Sequence, residues 1–381
     1  MKKQLKRGSS VLLAILLGIG IVYALTFIGD NSSGPIDDAL QTVGENVTSL
    51  ENRMAGMGDA ERRSSNLSWV EPYQEKQDKF KWPAKMLLGA YDDIKEETFG
   101  NIVSLEDSLG VTLPLIHIYT AWGDKKEEEF PQQECKKIIE LGSTPLITWE
   151  PWLSDFSDEN YPKFKSKPNK DLYGMKLVAS GAYDDYIRTW AQHAKEMGKP
   201  IFIRLGHEMN DPYRYPWGPQ NNKPEEFIAA WRHVYQVFKT AGANNVIWIW
   251  SPHPAYGQFK SYYPGANYVD WLGVGTLNYG TVAIWSKWWS FDEIFGNYYD
   301  SLSMYKKPIM VTEFGSLGVG GNRTQWYKDA LEDMPTKYPM IRSLVFFHTH
   351  NDNTTTYKAL DWSFKNDRAT TEAIRGIIAK W

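Results

Sequence analysis

Two glutamates are the residues of this sequence best suited to paired acid–base chemistry. Glu208 lies between His207 and Asn210, and Glu313 follows a run of apolar and β-branched residues that ends at Thr312. Hydrolysis of a glycosidic bond requires such a pair, because one carboxyl group protonates the leaving oxygen while the other attacks the anomeric carbon or activates a water molecule. A separation of about 5–5.5 Å between the groups indicates retention, and about 6.5–9.5 Å indicates inversion. The sequence leaves this choice open.

The neighbours of the two glutamates favour different roles for them. Glu208 is followed closely by three aromatic residues, namely Tyr213, Tyr215 and Trp217. Apolar surroundings raise the pKa of a carboxyl group, which suits Glu208 to be the acid. Hydrogen bonds from Tyr279 or Arg204 would hold Glu313 ionised. A single glutamate at such a position is more often a cap or an ion-pair partner, but the pair together favours catalysis.

The elements that must position these residues alternate between short β-branched runs and helical patterns. The eight strand candidates are Met86–Ala90, Leu115–Tyr119, Pro145–Trp149, Ile201–Leu205, Val246–Trp250, Trp271–Gly275, Pro308–Thr312 and Ser343–Phe347. Between two of them, Pro224–Ala241 has apolar residues at helical spacing, with Pro at its start and Gly242 after its end. Eight such units over about 300 residues predict a (β/α)₈ barrel. The alternative, a doubly wound sheet, usually has a glycine-rich loop after its first strand, and this sequence has none there.

Active sites of (β/α)₈ barrels lie at the carboxyl ends of the strands, so residues there are candidates for binding substrate. Besides those already named, they are Tyr91, Trp122, Trp149, Glu150, Trp285 and His348. Trp285 is interpreted either as a platform on which distal sugars stack or as part of the core beneath its loop. His348 is placed either to reach the sugar or to cap the eighth strand.

Composition narrows the class of protein. The chain has 381 residues, a net charge of −4, 17 Trp and 22 Tyr. The charge argues against a nucleic-acid partner, which would call for a basic face. The aromatic residues fit either a large core or a sugar-binding cleft. One cysteine and seven histidines, without paired metal-binding motifs, predict neither a disulfide nor a metal site. We therefore expect an enzyme that needs no metal or cofactor.

The first 29 residues predict a membrane anchor. Residues 1–10 are basic, and residues 11–29 form an uncharged, almost wholly apolar run that is long enough to span a bilayer. The basic flank should remain cytoplasmic, which places the rest of the chain outside the membrane, at the cell surface. The alternative is a cleaved signal peptide, because Val22, Tyr23 and Ala24 resemble a cleavage site. In that case the protein is secreted.

Residues 30–80 predict a stalk and a linker. Apolar residues between 36 and 57 alternate at spacings of four and three, which is typical of a coiled coil and predicts self-association. A single amphipathic helix explains the same spacing. Residues 58–80 are rich in charged and polar residues and are interpreted as a solvated linker. The predicted domains are thus 1–29, 30–80 and a catalytic barrel over 81–381.

The motifs around the two glutamates resemble glycoside hydrolase family 26. The resemblance rests on Arg204–Asn210 and Val311–Gly315, supported by Thr148–Pro151 and Trp250–Pro252, and it covers roughly residues 82–381. It implies a retaining (β/α)₈ glycosidase in which Glu208 is the acid/base and Glu313 the nucleophile. It also implies that His207 and Tyr279 orient these groups and contact the sugar, and that Trp217 forms a wall of that subsite.

The segment after Glu208 bears on the substrate. Mannanases of the family often have Asn-Gly and a Trp/Phe-rich stretch there, whereas residues 215–218 of this chain, Tyr-Pro-Trp-Gly, look more like members that act on mixed-linkage β-glucan. We therefore expect β-glucan as the polysaccharide, with β-mannan or another polymer such as β-xylan as alternatives. Aromatic residues in the loops after strands four and six favour an open cleft and endo action. A carbohydrate-binding receptor that has lost catalysis is the remaining alternative.

Overall fold

Eight parallel strands close into a barrel in the computed structural model of the chain. The structure describes residues 62–93, 99–165, 167, 169–354 and 359–381. The strands are β1 (Leu87–Tyr91), β2 (Leu115–Ala121), β3 (Thr144–Glu150), β4 (Ile201–Leu205), β5 (Val246–Trp250), β6 (Trp271–Asn278), β7 (Ile309–Ser316) and β8 (Ile341–Phe347). The pairing of β1 with β8 closes the sheet. This confirms the predicted barrel and excludes the doubly wound alternative.

Helices connect the strands and cover the barrel. The α-helices are Glu71–Glu75, Gly100–Leu109, Gln132–Glu140, Gly174–Ala179, Asp184–Glu196, Pro224–Ala241, Phe259–Tyr262, Asn297–Ser303, Arg323–Lys337 and Arg368–Ile378, and residues 62–67 are also helical. Short 3₁₀ turns lie at Gln77–Lys81, Lys126–Glu128, Leu153–Asp155, Pro162–Phe164, Pro254–Tyr256, Ala266–Tyr268 and Gly280–Val282, and a π-helical turn at Asp292–Gly296. Pro224–Ala241 has the predicted bounds, and Gly242 ends it in the left-handed conformation that favours glycine.

The strand candidates were placed correctly, but several strands extend further at their carboxyl ends. β6 continues three residues past the predicted end, to Asn278, and β7 continues four residues, to Ser316. Polar residues in these extensions ended the hydrophobic pattern, although the backbone ladder goes on. Glu313 is therefore a residue of β7 itself, and its position is fixed by strand pairing rather than by a loop.

The amino-terminal end of the barrel is closed by residues that the sequence interpretation assigned to a solvated linker. Leu67, Val70 and Phe80 are fully buried with the inward-facing residues at the lower ends of the strands. Arg63 is also buried, donates to the carbonyl of Leu141 and forms an ion pair with a helix residue, Glu106. The linker prediction is thus wrong for residues 62–80, because three apolar side chains in a polar segment suffice to cap the barrel.

The predicted anchor at 11–29 and the predicted stalk at 36–57 lie outside the described residues. The membrane anchor, the cell-surface location and the self-association of the chain therefore stay predictions. Among the described residues, no helix combines the length and the apolar character needed to cross a bilayer.

Candidate active site

Glu208 lies in a tight turn directly after β4. Its φ is +53°, a left-handed value that non-glycine residues rarely adopt, and Gly206 two residues earlier has a φ of +48°. The backbone N–H of Glu208 donates to the carbonyl of Ser251 after β5, over 2.6 Å. Backbone strain of this kind persists where surrounding contacts enforce it, and it is concentrated at functional sites. The turn brings the buried carboxyl group of Glu208 to the carboxyl end of the barrel.

Glu313 is positioned by an irregularity between β6 and β7. Val274 pairs with Val311, but the next residue, Gly275, pairs with Glu313, so that β7 contains one extra residue, Thr312, at this point. Bulges re-aim side chains and are frequent beside active sites. As a result the side chain of Glu313 points into the barrel mouth, where it is buried.

A buried guanidinium group holds Glu313. Arg204 Nη2 donates to Glu313 Oε1 over 2.6 Å, and the hydroxyl of Tyr119 donates to the same oxygen over 2.8 Å. The other nitrogens of Arg204 donate to the hydroxyls of Thr148, at 2.7 Å, and Thr312, at 2.9 Å. Each of these residues is on a barrel strand, so the ion pair is built on rigid elements.

The two glutamates have opposite pKa shifts although both are buried. Burial alone would raise the pKa of Glu313, but the charge and hydrogen bond of Arg204, the hydrogen bond of Tyr119 and the charge of Arg214 outweigh it, so its pKa lies below the usual 4.5. Burial raises the pKa of Glu208 to about 7, and repulsion from Glu313 adds to that shift. Near neutral pH the site thus pairs an ionised carboxylate with a carboxyl group that readily keeps its proton.

The two carboxyl groups converge above Gly275. A Cβ atom placed on this glycine would lie 3.4 Å from Glu208 Oε1 and 3.5 Å from Glu313 Oε2, so these oxygens are at most about 6.9 Å apart. This limit applies to the two facing oxygens, and it is compatible with the separation typical of retaining glycosidases, about 5–5.5 Å.

A third carboxyl group and a neutral imidazole lie beside the pair. Burial raises the pKa of Glu150 to about 7. Glu150 Oε2 accepts a hydrogen bond from Trp152, and its other oxygen is 3.9 Å from His207 Nδ1. Burial and the charge of Arg204 keep the pKa of His207 well below 6.5, so the ring is uncharged. Its Nε2 is 2.9 Å from the hydroxyl of Tyr215.

Comparison with known proteins identifies the family. A model of glycosyl hydrolase family 26 matches residues 139–366, a stretch that contains both glutamates. The chain belongs to glycosyl hydrolase family 26. This confirms the resemblance stated from the sequence, and with it the glycoside hydrolase class.

Two curated relatives and one solved structure illustrate the similarity. Endoglucanase H from Acetivibrio thermocellus is 32% identical over 286 residues, which are 73% of this chain and 29% of the relative. A mannan endo-1,4-β-mannosidase from Bacillus subtilis is 30% identical over 204 residues, 50% of this chain and 51% of the relative. The chain thus spans about a third to a half of the length of these relatives. The structure of a β-mannanase from Bacteroides ovatus superposes with a TM-score of 0.55 at 16% identity, covering 84% of this chain and 92% of that one.

Three residues expected to bind substrate lie at or after the carboxyl ends of strands, Tyr91 at the end of β1 and Tyr279 and Trp285 after β6. Tyr91 packs against Tyr119, whose hydroxyl bonds Glu313, with ring centroids 4.7 Å apart. Tyr279 is buried and stands perpendicular to Trp285 at 5.6 Å. Trp285 is 48% exposed and the preceding Ile284 is 99% exposed, so this loop presents apolar surface to solvent rather than closing the core. That geometry fits a stacking platform.

Trp217 does not form an exposed wall. Its side chain is buried, stacks on Tyr215 at 4.7 Å and donates through Nε1 to the carbonyl of His207. A side chain without exposed surface cannot stack on a sugar, so Trp217 supports His207 and Tyr215 from behind. The implied direct contact with substrate is corrected accordingly.

Asn210 is a clamp between two loops. Its amide group donates to the carbonyls of His253 and Gly257, and its oxygen accepts from the backbone N–H of His253. Both amide hydrogens and the oxygen are therefore bonded within the protein. Asn210 therefore connects the loop after β4 to the loop after β5. Its amide group is not oriented toward substrate, contrary to the expectation from the sequence.

Trp122 and Trp149 are packing residues. Both are fully buried, and their ring centroids are 4.6 Å apart. Trp149 stacks on Trp190 of the helix Asp184–Glu196 and contacts Phe238 of the helix Pro224–Ala241. Because successive side chains of a strand point to opposite faces, Trp149 faces the helices while its neighbour Glu150 faces the barrel mouth. The expectation that these two tryptophans bind sugar is wrong.

His348 lies buried directly after β8, where its ring contacts the segments that follow β1 and precede the last helix. The ring is buried, Nε2 accepts from the backbone N–H of Lys365 over 3.3 Å, and Nδ1 lies 3.1 Å from Asp92. A nitrogen that accepts an N–H bond carries no hydrogen, so the proton of the neutral ring is on Nδ1 and is donated to Asp92.

Among the residues that the structure describes, two groups of side chains are close enough to share a metal ion, namely Asp92 with His348 and His350, and Glu208 with Asp211 and His253. In each group one histidine nitrogen already accepts a backbone N–H, that of Lys365 for His348 and that of Ala255 for His253. A metal at the other nitrogen would force the ring proton against that N–H. The donor pattern therefore favours hydrogen-bonding histidines over metal ligands in both groups.

Sequence reasoning missed three residues that shape the site. Tyr119 was predicted only to end a strand, but its hydroxyl bonds both Glu313 and Arg204. Arg214 Nη1 is 3.9 Å from Glu208 Oε2, and its Nη2 donates to Thr354 after β8. Gly275 was placed at the end of β6 without a role. Only the spatial arrangement shows that Gly275 lies beneath both carboxyl groups.

The position of Gly275 generates a prediction. Gly275→Ala should remain folded, because a Cβ there meets its nearest atoms at ordinary contact distance, 3.4 Å or more. We expect kcat/KM for polysaccharide to fall by about 10²-fold, since the methyl group occupies the space in which the reacting carbon must lie. Steady-state kinetics and thermal unfolding measure the two effects. In the control Gly376→Ala the new methyl group meets nothing within 4 Å. Full activity in Gly275→Ala would show that the reaction occurs elsewhere.

Proposed function

We propose that this chain is a retaining endo-β-glycanase that hydrolyses internal β-1,4 bonds of a neutral polysaccharide. The observation that carries the proposal is the convergence of two buried carboxyl groups that have different partners. Arg204 and Tyr119 bond Glu313 and hold its pKa below 4.5, while burial raises the pKa of Glu208 to about 7. An ionised nucleophile facing a protonated acid is the starting state of a retaining glycosidase.

In the first step, Glu313 Oε2 attacks the anomeric carbon, because Oε1 is held by Arg204 and Tyr119. The bond from that carbon to the glycosidic oxygen breaks, and Glu208 transfers its proton to the departing oxygen. The products are a glycosyl ester on Glu313 and a shortened polysaccharide chain. Loss of the negative charge on Glu313 weakens the repulsion that had raised the pKa of Glu208.

In the second step, Glu208 acts as the base. It removes a proton from a water molecule as the water oxygen attacks the anomeric carbon, and the ester bond to Glu313 breaks. Glu208 is protonated again and Glu313 regains its charge beside Arg204. Two displacements at the same carbon leave its configuration unchanged.

Endo action is supported by the surfaces on both sides of the acid and nucleophile. Trp285 and Ile284 are exposed after β6, and Tyr213 is exposed after β4. Sugar rings have apolar faces that stack on such side chains. A polysaccharide that is cut at an internal bond extends past the reacting carbon in both directions, so binding surfaces on both sides favour endo action.

Mixed-linkage β-glucan is the substrate we favour. Residues 215–218 support it, as does the 32% identity to a relative named endoglucanase H. β-Mannan is the second candidate, supported by the relative named mannan endo-1,4-β-mannosidase. Since glucose and mannose differ only in the configuration at C2, contacts with that hydroxyl decide between them. We expect the neutral imidazole of His207 and the carboxyl group of Glu150 to make such contacts.

The full chain should release oligosaccharides from one of four polymers: mixed-linkage β-glucan, glucomannan, mannan or carboxymethylcellulose. Glu208→Gln should lower kcat by about 10²–10⁴-fold, the usual contribution of a general acid. Glu313→Gln should abolish turnover, because an amide cannot form the ester. Product analysis by chromatography over time reads out both the substrate and the endo pattern.

Binding of a polymer without release of products by the unaltered chain would contradict hydrolysis and support the receptor alternative. Monosaccharide as the main product from the earliest times would contradict endo action. Release of oligosaccharides from mannan but not from β-glucan would show that β-mannan, rather than mixed-linkage β-glucan, is the substrate.

The dependence of kcat/KM on pH should be bell-shaped. Glu208 must be protonated, so activity is full below about pH 7 and is lost as the pH rises through that value. Glu313 must be ionised, so activity is lost as the pH falls through its pKa, which lies below 4.5. The pKa of Glu150 is also raised to about 7, so this residue could cause the alkaline loss of activity as well. The variant Glu150→Gln shows which of the two residues, Glu208 or Glu150, is responsible. The alkaline limb persists in this variant if it belongs to Glu208, and its disappearance would assign the limb to Glu150.

A further inference from the structure

Two exposed tyrosines face each other on the loops after β4 and β5. Tyr213 is 82% exposed and Tyr256 is 37% exposed, and their ring centroids are 5.9 Å apart in an edge-on arrangement. Exposed large apolar side chains that cluster mark binding surfaces more often than single ones do. The role of these two residues is not accounted for by the chemistry at the glutamates.

A continuous series of contacts connects the tyrosine pair to Glu208. The ring centroids of Tyr256 and His253 are 4.6 Å apart. His253 is in turn close to Asp211 and Glu208, because one polar side-chain atom of each of these three residues lies within 4.8 Å of the other two atoms. The backbone N–H of Tyr213 donates to Asp211 Oδ1 over 2.7 Å, which fixes the start of its loop.

The tyrosines lie on the side of the acid in the barrel. Glu208 and Tyr213 both follow β4, and Tyr256 follows the neighbouring strand β5, whereas Glu313 belongs to β7. Because an acid protonates the oxygen that joins the two reacting sugars, the sugar beyond that oxygen lies on the side of the acid. In this site, that is the side of Tyr213 and Tyr256.

The polar group between the tyrosines and the acid also suits a sugar. His253 Nδ1 accepts the backbone N–H of Ala255 over 3.1 Å, so Nε2 carries the hydrogen of the neutral ring. An imidazole N–H beside two aromatic faces offers a sugar one hydrogen-bond donor and two stacking surfaces.

We propose that Tyr213 and Tyr256 form the binding site for the leaving sugar of a neutral polysaccharide, with His253 as a hydrogen-bond donor at its inner edge. This assignment rests on the proposed function, since it identifies which side of the cleaved bond the tyrosines hold. Binding energy gained on the leaving side accelerates cleavage of a polymer. It gives no such gain when the leaving group is too small to reach the tyrosines.

Two substrates of different leaving-group size test the proposal on the full chain. One is the polymer that the chain hydrolyses, and the other is the β-glycosyl fluoride of an oligosaccharide with the same backbone, whose leaving group is a single atom. The double variant Tyr213→Ala/Tyr256→Ala should lower the ratio of kcat/KM for polymer to kcat/KM for fluoride by about tenfold, an effect typical of lost apolar contacts. Tyr213→Phe/Tyr256→Phe retains both rings and should keep the ratio near that of the unaltered chain.

Trp82→Ala serves as the matched control, because Trp82 is an aromatic residue with 47% exposure that precedes β1 at the opposite end of the barrel. It should leave the ratio unchanged. An equal loss on both substrates in the alanine double variant, or no loss on either, would overturn the proposal. If the unaltered chain hydrolyses neither polymer nor fluoride, the proposed function itself fails, and this assignment fails with it.

Discussion

The ion pair between Arg204 and Glu313 is the interaction on which the rest of the site depends. A guanidinium group without exposed surface is costly to bury unless its donors are satisfied, and Arg204 satisfies them with Thr148, Tyr119, Thr312 and Glu313. These partners come from three other strands, so the charge also fixes how those strands meet at the barrel mouth. The same charge lowers the pKa of Glu313 and contributes to keeping His117 and His207 neutral.

The difference between the two glutamates follows mainly from this charge, with smaller contributions from Tyr119 and Arg214. Both side chains are buried, and burial alone would raise both pKa values. Arg204 bonds Glu313 directly, whereas Arg214 Nη1 is 3.9 Å from Glu208 Oε2. One carboxyl group is therefore ionised and the other protonated over the same range of pH. The strained turn at Glu208 and the extra residue in β7 serve to bring these two groups over Gly275.

The barrel and the two glutamates could be predicted because they follow from short-range patterns. β-Branched runs mark the strands, and the rule that active sites lie at their carboxyl ends singles out Glu208 and Glu313. The positions of Trp122 and Trp149 were not predicted because abundance of aromatic residues does not say which face they occupy. For Trp149, the alternation of side chains along β3 gives its direction. Thr148 and Glu150 point into the barrel, so Trp149, which lies between them, points outward.

Other features depend on contacts between distant parts of the chain. Leu67, Val70 and Phe80 are buried because they cover the amino-terminal end of the barrel. The polar composition of their segment gives no sign of this contact. Asn210 becomes a clamp only because the loop after β5 passes beside it. The role of Gly275 depends on two side chains from elsewhere in the chain, one from the turn after β4 and one from β7.

The most direct test of the account is to trap the covalent intermediate. A 2-deoxy-2-fluoro glycosyl fluoride of the hydrolysed backbone forms the ester quickly but releases it slowly, because fluorine at C2 disfavours the positively charged transition states of both steps. Peptide mass spectrometry of the treated full chain should locate one added sugar on Glu313. An added sugar on Glu208 or Glu150, or turnover with inverted configuration and no adduct, would contradict the roles assigned to the two glutamates.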